Sequence, residues 1–525
     1  MDVIAASFAI ALIAALVLTP LTAWFARRVH VCDEPQAVKL HKRSTPLLGG
    51  LAVLAAMFIG AWAMGHDVAL LPALTVSVTL VALVGLVDDI KPVNPTVKMA
   101  ALLPATAAAV LLWPEPFVAP LLSIPVFCLG FLFITNAVNL LDTVDGLTGL
   151  MTAISAAALG TMAWLAGEPG VAVVAFAMSG ACLGFLSLNW RMIAPAGIFL
   201  GDMGALALGA GLFVLSAYLV LHAPTVVHGI AAALPVGLVA VNAGHTIYIR
   251  KQKGAKALSR TKDHISERLY RSGLPRFEVT VRMSLVSLLT CVAATAAWAT
   301  NSLGVTLFAT AVGFVPILAL ALYSYRLKLA PEGTKWHQEK TVCRVGISFG
   351  SDLSRQLASM GWHEIVICGS DGVSGEATNV PGVEICSLGL SAKKLGPLGR
   401  LRACPGVYRA IRRSRPQIVH TCDDELGRIG RLAAALCEAS FIVHSCETSG
   451  SVEAKGIIGR ACTRVSSALL VATEEALIQS QREAPEKVYA IPWNGQAAAG
   501  RLNALYMALL THTEYRDPEC SNHKQ

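Results

Sequence analysis

Five aspartates fall into three short clusters. Asp88 and Asp89 are adjacent at the end of one apolar run, Asp142 and Asp145 follow another, and Asp202 precedes a third. Carboxylates brought together repel one another unless a cation or a hydrogen-bond network lies between them. With no Cys or His beside them at short ligand spacing, hard oxygen donors of this kind favour Mg²⁺, with Mn²⁺ as a substitute, over zinc. Lys39, His41, Lys42, Arg43, His264 and Arg268 could meet phosphate oxygens, the arginines through a bidentate fork. A single Asp of this kind also reads as a helix cap or a loop turn. Five of them in three loops point to cation-assisted chemistry on an anionic, phosphorylated substrate.

The elements that must position these residues are membrane spans. The chain has 525 residues, 54% of them apolar and 14% charged, against roughly 25% charged in a soluble domain. Up to Tyr325, 32 of 325 residues are charged; beyond it, 44 of 200 are. Disorder, fibrous repeats and small disulfide scaffolds are excluded by this composition. The net charge of +8 divides evenly between the two parts and marks no polybasic tail, so no nucleic-acid partner is expected. Thirteen cysteines without a C-x-x-C pair read as reduced thiols.

Eleven apolar stretches long enough to cross a bilayer precede residue 325, at 3–25, 47–65, 68–87, 98–113, 118–140, 147–166, 170–188, 204–222, 226–247, 279–299 and 303–324. All 18 Lys and Arg of this part fall on one set of alternating loops. Basic loops stay cytoplasmic, which predicts an outside N-terminus and a cytoplasmic region after Tyr325. The five acids lie on that same cytoplasmic side, where ionisable groups at membrane depth are functional by default. A transporter would carry them at the bilayer midplane instead.

The segments K-L-H-K-R-S-T-P-L-L-G-G (39–50), G-L-V-D-D-I-K-P-V-N-P-T-V-K (85–98), N-A-V-N-L-L-D-T-V-D-G-L-T-G (136–149), F-L-G-D-M-G-A (199–205) and D-H-I-S-E-R-L (263–269) resemble the ordered motifs of the polyprenyl-phosphate N-acetylhexosamine-1-phosphate transferases. The resemblance covers residues 1–325. It implies a Mg²⁺-dependent exchange in the plasma membrane, in which a polyprenyl phosphate attacks the β-phosphorus of a UDP-N-acetylhexosamine and releases UMP. By similarity, Asp88 and Asp89 sit beside the attacking phosphate as orienting groups or base. Asp202 and Asn139 ligate the metal, and Asp142, Asp145 and Phe199 lie near the nucleotide, with the Phe199 ring on uracil. Lys39, His41, Thr45, His264 and Arg268 meet diphosphate or sugar. His245, inside the ninth span, has no motif behind it and reads as a packed core histidine. The last segment departs from the histidine-rich patterns of the family, carrying His264, Ser266 and Glu267, which counts against the peptidoglycan enzyme and weakens the assignment of the sugar, for which GlcNAc-1-phosphate is the leading reading.

Residues 326–340 read as a linker, and 341–495 as an α/β domain with a parallel sheet, from short β-branched runs between amphipathic stretches. R-P-Q-I-V-H-T-C-D-D (415–424), F-I-V-H-S-C-E (441–447) and the stretch 469–495 resemble the N-terminal lobe of a two-lobed (GT-B type) glycosyltransferase. Residues 496–525, a helix and tail, are too few for the nucleotide-binding second lobe. The expected fold is thus a polytopic α-helical membrane protein of about eleven spans with a Rossmann-like cytoplasmic domain. The leading function is a sugar-1-phosphate transferase that begins a cell-envelope glycopolymer, with membrane lipids and a downstream glycosyltransferase as further partners. The alternative is a membrane-anchored scaffold that recruits a glycosyltransferase through its lobe.

Overall fold

The structure is a computed structural model that describes residues 2–34, 44–63, 68–190, 196–255, 263–327, 338–346, 351–368, 381–388, 397–422, 425–446, 462, 466–471, 488–490 and 497–511. The chain divides into two compact units, one up to residue 334 and one from residue 335.

In the first unit, helix α1 (Asp2–Arg28) leads through the two-residue strands β1 (Cys32–Asp33) and β2 (Thr45–Pro46) to α2 (Gly49–Trp62), α3 (Leu71–Ile90), α4 (Pro95–Ala101) and α5 (Leu103–Leu111). There follow α6 (Pro120–Leu141), α7 (Leu147–Leu165), α8 (Pro169–Asn189), α9 (Gly201–Leu221), α10 (Val226–Ala233) and α11 (Gly237–Gln252). The short α12 (Ile265–Arg271) and two long helices, α13 (Arg276–Thr300) and α14 (Leu303–Arg326), complete it.

Nine helical runs among the described residues are long and apolar enough to cross a membrane, with α10 and α11 counted as one run. At 1.5 Å per residue even the shortest spans about 28 Å, close to the hydrocarbon thickness of a bilayer. This is a multi-pass membrane protein. The two remaining expected spans are helices, but short ones. The start of α2 is set at Gly49, where the Gly49 and Gly50 N–H groups donate to the carbonyls of Phe199 and Leu200 at 3.0 and 2.8 Å. The second of these segments is broken at Leu102, between α4 and α5, with Pro104 inside the first turn of α5.

Small residues let the helices meet at backbone distance, as membrane packing favours. A Cβ on Gly50 would lie 2.4 Å from Gly204 Cα, and one on Gly85 would lie 2.5 Å from the Asp202 carbonyl oxygen. Helices α2 and α3 are thereby pressed onto the first turn of α9. Where Pro235 interrupts the α10–α11 run, the Ser155 hydroxyl donates to the Pro235 carbonyl at 2.7 Å, so the broken backbone stays satisfied within the bundle.

The second unit is a seven-stranded sheet, parallel throughout its described pairs. Its elements are β3 (Gln338–Val345), α15 (Ser351–Ser359), β4 (His363–Cys368), β5 (Val383–Ser387), α16 (Pro397–Ser414), β6 (Pro416–Thr421), α17 (Glu425–Leu436), β7 (Phe441–Cys446), β8 (Ala468–Val471), β9 (Val488–Ala490) and α18 (Ala497–Thr511). Gln338 to Lys340, expected in the linker, belong to β3. The spatial order β5-β4-β3-β6-β7-β8-β9 reverses direction between β3 and β6, the doubly wound arrangement. Alternation along β3 covers both faces: Cys343 and Val345 pack with Val407, Ile411 and Ile429, whereas Val342 packs with Leu357, Leu502 and Tyr506. The last helix, α18, therefore lies on the sheet, pinned by Trp362 Nε1 donating to Asn503 Oδ1 at 2.9 Å.

Gly85→Val should lower the stability of the detergent-solubilised protein by about 1–3 kcal/mol through overpacking. Thermal unfolding beside Gly244→Ala, where an added Cβ meets nothing within 4 Å, checks it; equal behaviour of the two variants would remove the close α3–α9 approach as a determinant.

Candidate active site

The end of α3 and the start of α9 bring three of the expected acids together. Asp89 accepts the backbone N–H groups of Asp202 and Met203 at 2.8 and 3.0 Å, so its carboxylate caps the first turn of α9. This satisfies two of the four orphan donors of that helix end and places a negative charge at the positive end of its dipole. Asp88 accepts from the Val93 N–H at 2.5 Å through one oxygen and from Lys98 Nζ at 2.9 Å through the other. The same Lys98 ammonium pairs with Asp202.

Lys98, which closes the segment 85–98 and carried no site role in the sequence reading, is thus at the centre of the cluster. The chain reaches it by a local device: Asn94 caps α4 by accepting the Thr96 N–H at 2.9 Å, Pro95 opens the helix, and Lys98 follows one turn later. An Asn-Pro start ahead of the only basic residue in an apolar stretch was the available signal.

Asn139 and Asp142 lie at the end of α6 and just past it. The Asn139 amide nitrogen is buried without a hydrogen-bond partner, and a 180° turn of the amide presents its oxygen at the same place. Burial, with the like charges of Asp202 and Asp145, pushes the Asp142 carboxyl up to about 7. Asp145 itself is paired with Arg276 Nη1 at 3.1 Å and accepts from the Thr280 hydroxyl through its carbonyl at 3.1 Å, tying this loop to α13. Asn189 is a further brace: it accepts the Gly146 N–H at 2.9 Å and donates to the Ile198 carbonyl at 3.0 Å. Phe199 is half-buried on the adjacent segment, its N–H bonded to the Pro46 carbonyl at 2.8 Å. Thr45 is buried in the β1–β2 pair. Lys39 and His41 lie outside the described residues.

The side chains of the segment 263–269 are held by protein partners. Arg268, expected on diphosphate or sugar, is buried and donates from Nε to the Ser324 carbonyl at 3.0 Å and from Nη2 to the Tyr325 carbonyl at 3.1 Å. The guanidinium fork thus caps the end of α14, sharing the Ser324 carbonyl with the Leu327 N–H, which donates to it at 3.3 Å. His264 is buried, with Nδ1 at 3.1 Å from the Thr246 hydroxyl. Ser266 meets the Thr143 hydroxyl at 2.6 Å, joining this loop to the one that follows α6. His245 is half-buried, bonded through Nε2 to the Ser324 hydroxyl at 3.0 Å, with Nδ1 buried and without a hydrogen-bond partner among the described residues.

Among the described residues no three His, Cys, Asp or Glu side chains group closely enough to hold a metal by themselves. That suits Mg²⁺, which takes one or two carboxylates and completes its shell with phosphate oxygens and water. Asp202 and Asp88 already share one cation, the Lys98 ammonium.

Burial, then the charge of Arg250, lowers His264 to about 4. An unfolded histidine titrates near pH 6.5, so the stability tied to neutral His264 is complete above that pH and is lost as pH falls towards 4, by up to about 3 kcal/mol. The melting temperature should fall between pH 7 and 5, and His264→Gln should flatten part of that slope; an unchanged slope would assign it to other groups.

A sequence model described as glycosyl transferase family 4 matches residues 71–220, which include Asp88, Asp89, Lys98, Asn139, Asp142, Asp145, Phe199 and Asp202. A second, described as a glycosyl transferase 4-like domain, matches residues 350–483. The chain is 28% identical over 225 residues to the probable undecaprenyl-phosphate N-acetylglucosaminyl 1-phosphate transferase of Bacillus subtilis, covering 41% of this chain and 62% of that protein. It is 35% identical over 208 residues to the phospho-N-acetylmuramoyl-pentapeptide-transferase of Trichormus variabilis, covering 34% and 54%. To the phospho-N-acetylmuramoyl-pentapeptide-transferase of Streptococcus pneumoniae serotype 19F it is 33% identical over 233 residues, covering 38% and 69%. The chain thus spans between half and two thirds of the length of the first two relatives. Through its membrane unit the chain belongs to glycosyl transferase family 4, and behind that unit it carries a glycosyl transferase 4-like domain.

Proposed function

We propose that the membrane unit transfers an N-acetylhexosamine-1-phosphate, GlcNAc-1-phosphate in the first place, from a UDP-sugar to undecaprenyl or another polyprenyl phosphate. The products are polyprenyl-diphospho-sugar and UMP, and the step opens the synthesis of a cell-envelope glycopolymer. The observation that carries this reading is the oxygen-only acid cluster of Asp88, Asp89 and Asp202 at the junction of two membrane helices, within the matched family region.

A phosphate oxygen of the lipid forms a bond to the β-phosphorus of the UDP-sugar as the bond from that phosphorus to the bridging oxygen breaks, and the bridging oxygen leaves with UMP. Nucleophile and leaving group are both phosphates, so the protein's task is positioning and charge neutralisation rather than proton transfer. A divalent cation, implied by the family, supplies that neutralisation when bound, and Asp202, Asp88 and Asn139 would hold it. Asp89 fixes the first turn of α9, and with it the direction of the Asp202 carboxylate. Asp142, Phe199 and the Gly146 loop braced by Asn189 form the wall assigned to the nucleotide.

The sugar assignment rests on the loop 263–269, which lies beyond the matched region 71–220. The Bacillus subtilis relative named for N-acetylglucosamine and the absence of a histidine run in that loop favour GlcNAc over the pentapeptide-bearing sugar. The acids and every Lys and Arg of the membrane unit occur on the same set of loops, so the site and the C-terminal domain are assigned to the cytoplasmic side of the plasma membrane. The C-terminal domain is assigned an accessory role, because α18 lies on the same sheet rather than opening a second lobe. Tethering would keep an acceptor or partner glycosyltransferase at high effective concentration beside the product.

Purified full-length protein with UDP-GlcNAc, undecaprenyl phosphate and Mg²⁺ should release UMP, and UDP-MurNAc-pentapeptide should not replace UDP-GlcNAc. Asp202→Ala should lower turnover by at least about a hundredfold, the scale of losing one charge-stabilising group. A chain ending at residue 327 should remain active. A folded protein inert with every UDP-N-acetylhexosamine would favour the scaffold.

A further inference from the structure

Lys98 is held where a divalent cation would be expected. Its ammonium touches Asp88 Oδ2 at 2.9 Å and also pairs with Asp202, joining the end of α3 to the start of α9. Two carboxylates sharing one cation is also the arrangement a bridging metal makes, with oxygens about 2.1 Å from Mg²⁺ in place of about 2.8 Å from an ammonium nitrogen. An ammonium and a metal ion that each bridge the same two oxygens would occupy the same space, so the pair of carboxylates takes one or the other.

The surroundings fit an exchangeable partner. Side-chain exposure is 3% for Asp88, 12% for Lys98 and 34% for Asp202, so the pair is open to an incoming ion from the Asp202 side. Asp88 keeps the Val93 N–H on its other oxygen when the lysine leaves. Lys98 rides on α4, a seven-residue helix with no buried residue, and its four-carbon stem can swing without moving α3 or α9.

The geometry points to Lys98 as an internal counter-cation that clasps Asp88 and Asp202 in the metal-free protein and is displaced when a divalent cation takes the same oxygens. This rests on the metal reading above, and deepens it: cation binding would be an exchange, with the freed ammonium left beside the site.

The test is Mn²⁺ binding, followed by the paramagnetic resonance signal of free Mn²⁺, to full-length protein stripped with a chelator. Lys98→Met should bind Mn²⁺ about tenfold more tightly than the unaltered protein, because the competitor is gone. Without metal, that variant should melt at a lower temperature than the parent, and Mn²⁺ should restore most of the loss. Lys98→Gln, which keeps a polar head without the charge, repeats the measurement should the methionine variant misfold. Lys91→Met removes an exposed positive charge of the same segment and should change the affinity less than about twofold, as expected of a screened surface charge. Unchanged or weaker Mn²⁺ binding in both Lys98 variants overturns the exchange, as does equal tightening in Lys91→Met. Mn²⁺ bound by neither parent nor variants would instead overturn the metal reading itself.

Discussion

The carboxylate of Asp89 on the first turn of α9 is the contact on which the site depends. Asp202 can serve as a ligand or partner only if its helix begins at a fixed place, and two backbone N–H groups held by one carboxylate fix it. That contact in turn needs α3 and α9 at backbone distance, which Gly85 permits. The start of α2 is bound to the same turn through the Phe199 and Leu200 carbonyls. Three helices are thereby locked at one end by polar contacts and along their length by small residues. In a medium where no water can satisfy a stray backbone group, such a lock is costly to open.

A second set of braces holds the loops around this core. Asn189 spans from Gly146 to Ile198, Asp145 pairs with Arg276, Thr143 meets Ser266, and Arg268 covers the end of α14. None of these requires a ligand, so the loops are organised beforehand, as a site that works by positioning requires. The price is that several of the polar residues there are committed to protein partners.

That commitment explains which parts of the site were legible in the sequence. The acids, their clustering and the helical nature of every apolar stretch followed from spacing and hydropathy, because burial in lipid leaves few alternatives. The strands β3, β4, β6 and β7 were legible for a similar reason, their apolar, β-branched runs being buried. Short apolar helices were misjudged in length, since the hydropathy of 47–65 and 98–113 does not show that Gly49 starts a helix or that Pro104 interrupts one. The helix-end partners of Arg268 were not legible, because a basic residue in a motif looks the same whether it meets a phosphate or a helix end. Lys98 was passed over for the opposite reason: its partners come from segments 10 and 104 residues away, a proximity that no local pattern shows.

The loop 263–269 is held apart from the acid cluster. Its contacts run to α11 through His264 and Thr246, to α14 through Arg268, and to the loop after α6 through Ser266. The acid cluster is held independently, by α3, α4 and α9. A change of side chains in this loop can therefore alter its own packing while Asp88, Asp89 and Asp202 keep their geometry. The departure from the histidine-rich pattern in this loop is thus structurally separate from the contacts that hold Asp88, Asp89 and Asp202.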